Sequence, residues 1–212
     1  MGMTITWLGH SCFRVTCGDS IVVLDPYEPG SVPGCGDICE TADQVLCSHE
    51  HHDHNYRAGV RLTGRGEGAI QVTALPWYHD DCQGKKRGPS TIYLLEGGGV
   101  RVAHFGDVGC MPSEEIVEQL QGVDAALLPV GGFYTVGPQE AKEIVDAVRP
   151  RVVVPMHYRS ESFGFDVIGP VEDFLALCQN VKRYDSATLE IVPQMEEQTA
   201  VLFPANCRGS AN

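Results

Sequence analysis

The sequence lacks any apolar run near the roughly 20 residues that a membrane-spanning helix requires. Its first residues also lack the basic segment and the apolar core of a signal peptide. We therefore expect a cytoplasmic protein without a membrane partner. Basic residues are few, because 15 Lys and Arg stand against 28 Asp and Glu, which leaves a formal net charge of −13. Such a charge disfavours an extended phosphate-binding surface, so we expect no nucleic-acid partner.

No Ser/Pro-rich linker or internal repeat divides the chain. The sequence also lacks the G-x-S-x-G motif that indicates a serine nucleophile. Hydrophobic residues make up 43% of the sequence, enough for a packed core. We predict a single domain over residues 1–205, followed by a short tail, 206–212. The nine cysteines are odd in number and scattered, which is typical of reduced thiols. Cys35 and Cys39 could bind a metal, but no second pair completes a structural zinc site.

Short strands separated by Gly-containing turns occupy the first quarter of the chain. Further along, apolar strands alternate with helices that we expect to begin at Ser113 and near Pro138. This order, with strands first and alternating strands and helices later, predicts an α/β protein whose sheets are covered by helices.

The segment His49–His54, which reads HEHHDH, is the strongest functional signal. Three imidazoles and a carboxylate in the pattern H-x-H-x-D-H suit a divalent transition metal, although a solvated His-rich loop is the alternative. The apolar run 44–48 precedes the segment, so the histidines lie on a loop where a strand ends. His49 and His51 can then face one point while Asp53 and His54 face another. This arrangement predicts two metal ions, about 3.5–4 Å apart if they share an oxygen.

Other chemically active side chains follow apolar runs in the same way, among them His79, Asp107 and His157. Together with the histidine segment they form an ordered series that resembles the metallo-β-lactamase superfamily over about residues 4–203. The likeness is greatest to the branch of small zinc-dependent hydrolases that includes L-ascorbate-6-phosphate lactonase. The matching pieces are Trp7-Leu8-Gly9-His10-Ser11, Leu24-Asp25-Pro26, His49–His54, His79-Asp80-Asp81, Arg87-Gly88, His104-Phe105-Gly106-Asp107, Pro129-Val130-Gly131-Gly132 and Pro155-Met156-His157-Tyr158.

This resemblance implies a four-layer αββα sandwich with the site at one edge. It also implies a ligand set. The first metal would be held by His49, His51 and His79, and the second by Asp53, His54 and His157. Asp107 would bridge both ions. Zinc is the expected metal, with manganese, nickel or iron as alternatives, because His/Asp sites accept all four.

Three further residues near these motifs have open roles. His104 competes with His79, but it lies three positions before Asp107, so strand alternation turns it to the opposite face. His10 is either a ligand or a buried structural histidine. Asp25 is more typical of a turn or of a carboxylate that supports a ligand. His52 fills an x position of the motif and is expected to point away.

The sequence departs from the branch pattern at two places that border the expected site. Cys110 stands where we expect His, and Pro89-Ser90 stands where a Lys-Asn pair is common. Substrate identity therefore cannot be transferred from close relatives.

The expected chemistry is hydrolysis by a hydroxide that bridges the two metals, since metal binding lowers the pKa of water to about 7. Asp53 would orient that hydroxide. Lys86 and Arg87 belong to the one basic run, and either bind an anionic substrate group or lie in a solvated loop. Tyr158 either donates to the developing oxyanion or packs in the core. Aromatic residues after Gly131-Gly132 could line the pocket.

We therefore predict a dinuclear metal-dependent hydrolase of a small, anionic ester, lactone or phosphoester. The alternatives are an iron-containing redox protein on the same scaffold, a nuclease or a non-catalytic metal sensor. A homo-oligomer is possible, because a short chain without an obvious lid could borrow a pocket wall from a partner subunit.

Overall fold

The structure, a computed structural model, describes residues 2–66 and 68–207. The strands are β1 (Met3–Gly9), β2 (Cys12–Cys17), β3 (Ser20–Leu24), β4 (Glu40–Ala42), β5 (Gln44–Leu46), β6 (Val60–Leu62), β7 (Gln71–Tyr78), β8 (Pro89–Gly97), β9 (Val100–His104), β10 (Ala125–Pro129), β11 (Val152–Met156), β12 (Val181–Arg183), β13 (Thr188–Ile191) and β14 (Gln198–Val201). The helices are α1 (Glu114–Leu120), α2 (Pro138–Val148) and α3 (Val171–Leu175), with a 3-10 turn at Arg57–Gly59.

Two sheets enclose the main core. One has five strands in the order β13-β1-β2-β3-β5, and the other has seven in the order β12-β14-β11-β10-β9-β8-β7. Alternate residues of β1, namely Met3, Ile5 and Trp7, are fully buried and join side chains of the seven-stranded sheet in one hydrophobic cluster. This alternation is what a strand with one face on a core requires.

The seven-stranded sheet brings several strand ends to one edge. β9, β10 and β11 are mutually parallel, and β7 runs the same way because β8 is antiparallel to both β7 and β9. Every residue of β10 and of β11 is buried, as expected for parallel strands covered on both faces. The loops that leave β7, β9, β10 and β11 therefore open on the same edge.

The helices confirm the predicted α/β class. Among the described residues, all three α-helices follow strands of the seven-stranded sheet. Ser113 caps α1 by accepting a hydrogen bond from the Ile116 amide, and Pro138 begins α2. None of these helices has the length and the apolar content needed to span a membrane.

The outer face of the five-stranded sheet is covered by the long segment between β3 and β7 rather than by an α-helix. Leu8 and Val23 pack there against Tyr27, Ile38 and Val60 in a second hydrophobic cluster. The segment contributes a two-stranded sheet, β4-β6, and the 3-10 turn. These elements are three residues long each, too short for the hydrophobic periodicity that would have predicted them.

Cys35 and Cys207 form a disulfide across 172 positions. The alternative of a metal-binding Cys35/Cys39 pair is therefore wrong, although Cys39 remains a free thiol. Asn206 also donates its amide to the Leu8 carbonyl at 3.2 Å. The packed chain thus continues to Cys207, beyond the predicted boundary at 205, and the rest of the predicted tail, 208–212, lies outside the described residues.

Candidate metal centre

Side chains from four separate strand ends converge at one edge of the fold. The histidine segment follows β5, and His79, Asp107 and His157 follow β7, β9 and β11. The Nε2 atom of His157 lies 3.2 Å from Oδ2 of Asp107, although 50 positions separate them. The structure therefore brings together all seven residues that the sequence predicts as ligands: His49, His51, Asp53, His54, His79, Asp107 and His157.

These side chains form two neighbouring groups. We call His49, His51 and His79 the first metal position, since one potential ligand atom from each lies within 4.8 Å of the others. His49 and His79 are buried, whereas His51 is exposed at the mouth of the site. Three imidazoles at this spacing match the protein ligands of a catalytic zinc site that keeps a position open.

The second metal position consists of Asp53, His54 and His157, and their potential ligand atoms also lie within 4.8 Å of one another. Asp107 connects the two positions. Its Oδ2 atom lies 3.4 Å from Nε2 of His79 and 3.2 Å from Nε2 of His54. A carboxylate in contact with histidines of both groups is placed to bridge two ions.

The buried nitrogens of this cluster show whether metal ions fit. Among the described residues, Nε2 of His49, of His54 and of His157 has no hydrogen-bond partner, and all three atoms are buried. For His54 and His157 this holds even though Asp107 lies 3.2 Å away, so these atoms do not point at the carboxylate along a hydrogen-bond direction. Buried polar atoms left unpaired are costly. Cations coordinated by these nitrogens would satisfy all three, so the residues fit the ions.

Asp25, which follows β3, orients two of the ligand histidines through hydrogen bonds. Nδ1 of His54 donates to Oδ2 of Asp25 at 3.0 Å, which leaves Nε2 of that ring for the cluster. Ser48 donates its amide and its hydroxyl to the same carboxylate, both at 2.6 Å. The Ser48 hydroxyl also lies 3.0 Å from Nδ1 of His49. Asp25 therefore supports one histidine of each metal position and is a positioning residue.

The electrostatic environment keeps His49 and Asp107 in the protonation states that ligands need and stabilises positive charge at His54. Burial, followed by repulsion from His54, lowers the pKa of His49 to about 3, so its ring is neutral at pH 7. Burial alone would raise the pKa of Asp107, but His157 and His54 hold it well below its ordinary value. For His54 burial opposes charge, yet Asp107 and Asp25 raise its pKa well above the usual range. The site thus stabilises positive charge between two ionised carboxylates, which is what a metal ion would supply.

His104 lies outside both metal positions. Its Nε2 atom is 2.8 Å from the Ser11 carbonyl, and the Gly106 amide donates to its Nδ1 atom at 3.2 Å. With both nitrogens engaged and the side chain fully buried, His104 braces the turn that presents Asp107. Gly106 in this turn has φ 53°, and a Cβ there would lie 2.4 Å from Cβ of Ser48, so the turn requires glycine.

A pocket with a volume of ≈ 370 Å³ opens beside the cluster. The lining residues are His51, His52, Asp53, His79, Arg87, Asp107, Tyr134 and Phe165. Asp53 is the one carboxylate ligand with appreciable exposure, at 15%, compared with 2% for Asp107. His52, which we expected to point away, is among the lining residues of the pocket but belongs to neither metal position.

Arg87 lies in the wall of this pocket. Its Nη2 atom donates to the Phe133 carbonyl at 2.9 Å, and its guanidinium carbon lies 5.7 Å from the centre of the Tyr134 ring. Within residues 2–66 and 68–207 it makes no ion pair with an acidic side chain. The remaining guanidinium donors are therefore available to an anion in the pocket.

Lys86 and Tyr158 are placed differently from Arg87. The Lys86 ammonium lies 3.2 Å from Asp81 in an exposed ion pair, and the residue lines a neighbouring cleft rather than the pocket. The Tyr158 ring packs 5.3 Å from Trp7, and burial raises its pKa. Tyr158 instead borders a separate cleft of ≈ 460 Å³ that contains none of the ligands. The predicted substrate contact of Tyr158 is therefore wrong, and core packing describes it.

Sequence reasoning missed Phe165 as a pocket residue. It lies in an irregular loop between β11 and α3 without periodicity, so no pattern marks it. Cys110, which we singled out because His is expected there, lines the neighbouring cleft with Lys86 and not the pocket.

Comparison with known proteins gives consistent matches. Residues 4–157 match the family model described as "Beta-lactamase superfamily domain". A protein named "UPF0173 metal-dependent hydrolase" from Thermococcus onnurineus is 30% identical, and the match covers 74% of this chain and 84% of the relative. A protein of the same name from Methanoregula boonei is 33% identical, and the match covers 79% of this chain and 87% of the relative. The chain is also similar to a crystal structure from Thermotoga maritima, described as a candidate Zn-dependent hydrolase of the metallo-beta-lactamase superfamily. That match has a TM-score of 0.73 at 31% identity and covers 94% of this chain and 98% of the other.

Proposed function

Because the chain belongs to the metallo-β-lactamase superfamily, we propose that it is a metal-dependent hydrolase with a dinuclear centre. Its substrate class is a small anionic ester, lactone or phosphoester. One observation carries the proposal: Oδ2 of Asp107 contacts histidines of both metal positions at 3.2–3.4 Å. The pocket beside it is lined by Arg87, which forms no ion pair with an acidic side chain of the described residues. The relatives whose names include "metal-dependent hydrolase" support the reaction class.

The first metal position would hold one ion through His49, His51 and His79, and the second would hold another. Imidazole nitrogens and carboxylate oxygens favour zinc, and the same donors accept manganese, nickel or iron. When bound, the pair of ions supplies Lewis acidity and, by lowering the pKa of shared water, a hydroxide near neutral pH.

Asp53 is the residue best placed to act on the attacking water. Its carboxylate borders the pocket and is 15% exposed, whereas Asp107, which also lines the pocket, is 2% exposed and Asp25 is fully buried. Burial would raise the pKa of Asp53, but the neighbouring His10 and His54 lower it below its ordinary value, so it is ionised at pH 7. An ionised Oδ atom at this point accepts a hydrogen bond from water and orients its oxygen towards the substrate.

Arg87 and Tyr134 also line the pocket. Arg87 presents a charge that no acidic side chain of the described residues neutralises, so it would bind an anionic group of the substrate. The Tyr134 ring limits its motion through the cation–π contact. The binding energy gained there would hold the scissile bond beside the metal positions.

The volume of the pocket, ≈ 370 Å³, suits a small molecule. A narrower likeness to L-ascorbate-6-phosphate lactonase stays a prediction, as does a homo-oligomer.

The test uses metal-loaded protein and a panel of matched substrates. Each anionic lactone, carboxylate ester and phosphodiester is paired with a neutral analogue that has the same leaving group. We expect hydrolysis that disappears with a chelator, returns with zinc, and has a higher kcat/KM for the anionic member. Absence of chelator-sensitive hydrolysis across the panel would contradict the reaction class. Equal rates for charged and neutral members would contradict the role of Arg87.

A further inference from the structure

His10 occupies a fixed place between the two sheets. It lies in the turn from β1 to β2, with φ 53°, a conformation that non-glycine residues rarely adopt. Its carbonyl accepts hydrogen bonds from Nε1 of Trp7 at 2.9 Å and from the His157 amide at 3.3 Å. These contacts hold the backbone, so the direction of the imidazole is set by the fold.

The His10 ring points into the second metal position. Its centroid lies 4.1 Å from that of His157 and 5.2 Å from that of His54, and its Nε2 atom lies 3.4 Å from Oδ2 of Asp53. The side chain is 0% exposed. Both ring nitrogens are buried without a hydrogen-bond partner among the residues that the structure describes. A neutral imidazole with two unpaired nitrogens in a core is unusual and costly.

The spacing distinguishes coordination from a hydrogen bond to Asp53. Neighbouring donors bonded to one ion at about 2.0–2.2 Å lie roughly 2.8–3.6 Å apart, from octahedral to tetrahedral geometry. The 3.4 Å separation of the His10 and Asp53 atoms falls in this range, and the contact lacks the geometry of a hydrogen bond. Ligand atoms of His10, Asp53, His54 and His157 all lie within 4.8 Å of one another.

We propose that His10 is a further protein ligand of the ion at the second metal position. The inference rests on the proposed dinuclear centre. It makes the two positions unequal, since the first is held by three histidines and the second by three histidines and Asp53, with Asp107 between them. The ion at the second position would therefore be the more tightly bound of the two.

Nuclear magnetic resonance of the wild-type protein tests this directly. The chain contains eight histidines. Protein labelled with 15N-histidine is loaded with 113Cd, and each coordinated imidazole then shows a one-bond 113Cd–15N coupling. We expect six coupled histidines, namely His10, His49, His51, His54, His79 and His157, with His52 and His104 uncoupled. Two bound cadmium ions with coupling in the other five but not in His10 would overturn the inference alone. A single bound cadmium ion would overturn the dinuclear proposal, and it would overturn this inference as well if His10 shows no coupling.

The zinc affinity of variants provides a second test of the proposal. In competition with a chromogenic chelator, we expect H10A to lose affinity for the more tightly bound zinc ion by at least about 10-fold. The matched control is Tyr27→Phe, which alters a buried ring in the second hydrophobic cluster, away from both positions, and should leave both affinities unchanged. Wild-type affinities in a folded H10A protein would overturn the inference. If H10A does not fold, the cadmium couplings of the wild-type protein decide the question.

Discussion

Nδ1 of His54 donates to Oδ2 of Asp25 at 3.0 Å, and both side chains are fully buried. This contact selects the tautomer of His54 and leaves Nε2 free for the metal cluster. Through Ser48, the same carboxylate reaches His49 of the first metal position. Asp25, which belongs to neither metal position, thus orients ligands of both.

Replacing Asp25 by Asn should therefore weaken metal binding. The substitution keeps the size of the side chain but removes the charge that fixes the imidazole, and we expect zinc affinity to fall roughly 10- to 100-fold. Competition with a chromogenic chelator measures the change. The control is Asp43→Asn, because Asp43 is also a hydrogen-bonded carboxylate, held by the Ile21 amide and by Arg65, but lies outside the centre. Equal losses in both variants would contradict an orienting role for Asp25.

Arg87→Ala should impair binding of charged substrates. The variant loses a guanidinium that faces the pocket, and a hydrogen bond to a charged group contributes about 1.5–3 kcal/mol, so kcat/KM for an anionic substrate should fall roughly 10- to 150-fold. The neutral analogue should change little. Lys86→Ala is the matched control, since its ammonium is exposed and paired with Asp81. Steady-state kinetics on both substrates measure the effect, and a loss of equal size in the two variants would refute the assignment to Arg87.

His104→Ala should reduce stability without reducing metal content. The substitution removes the hydrogen bond with the Ser11 carbonyl and the one from the Gly106 amide. Leaving such buried groups unpaired costs about 1–3 kcal/mol each, which urea denaturation of the metal-free protein measures. Metal analysis should still find the wild-type content. Loss of an ion from a folded variant would instead indicate that His104 is a ligand, which was the alternative to His79.

Reduction of the Cys35–Cys207 bond should destabilise the protein. The bond closes a loop of 172 positions, and cross-links of this kind contribute typically about 2–4 kcal/mol. Cys35→Ser should lower the free energy of unfolding by that amount under oxidising conditions and make it insensitive to reductant. Cys39→Ser, at an exposed free thiol four positions away, should do neither. Wild-type stability in the Cys35 variant would show that the bond does not contribute.

The apolar strands predicted the α/β class, whereas the ligand set was implied by ordered motifs that resemble the metallo-β-lactamase superfamily. Each ligand follows an apolar strand, and apolar runs such as 152–156 are visible without the structure. Parallel strands then bring their carboxyl ends to one edge, which predicts that His157 and Asp107 meet.

Other features depend on three-dimensional detail that no local pattern contains. Tyr158 adjoins His157 in sequence, but His157 has φ 53°, and this turn sends the two side chains to different places. The Cys35–Cys207 bond joins positions too distant for spacing to reveal. The hydrogen bond between Asp25 and His54 likewise depends on the folded turn after β3, which the sequence does not show. Contacts across the fold therefore account for what sequence reasoning could not supply.

The metal content of the active protein tests the central claim most directly. Protein dialysed to equilibrium against buffered zinc is analysed by mass spectrometry for ions per chain, while hydrolysis is assayed on the same samples. We predict two zinc ions per chain, loss of both ions and of hydrolysis after treatment with a chelator, and recovery of both with zinc. Full hydrolysis by a chain that holds one ion or none would contradict the dinuclear centre.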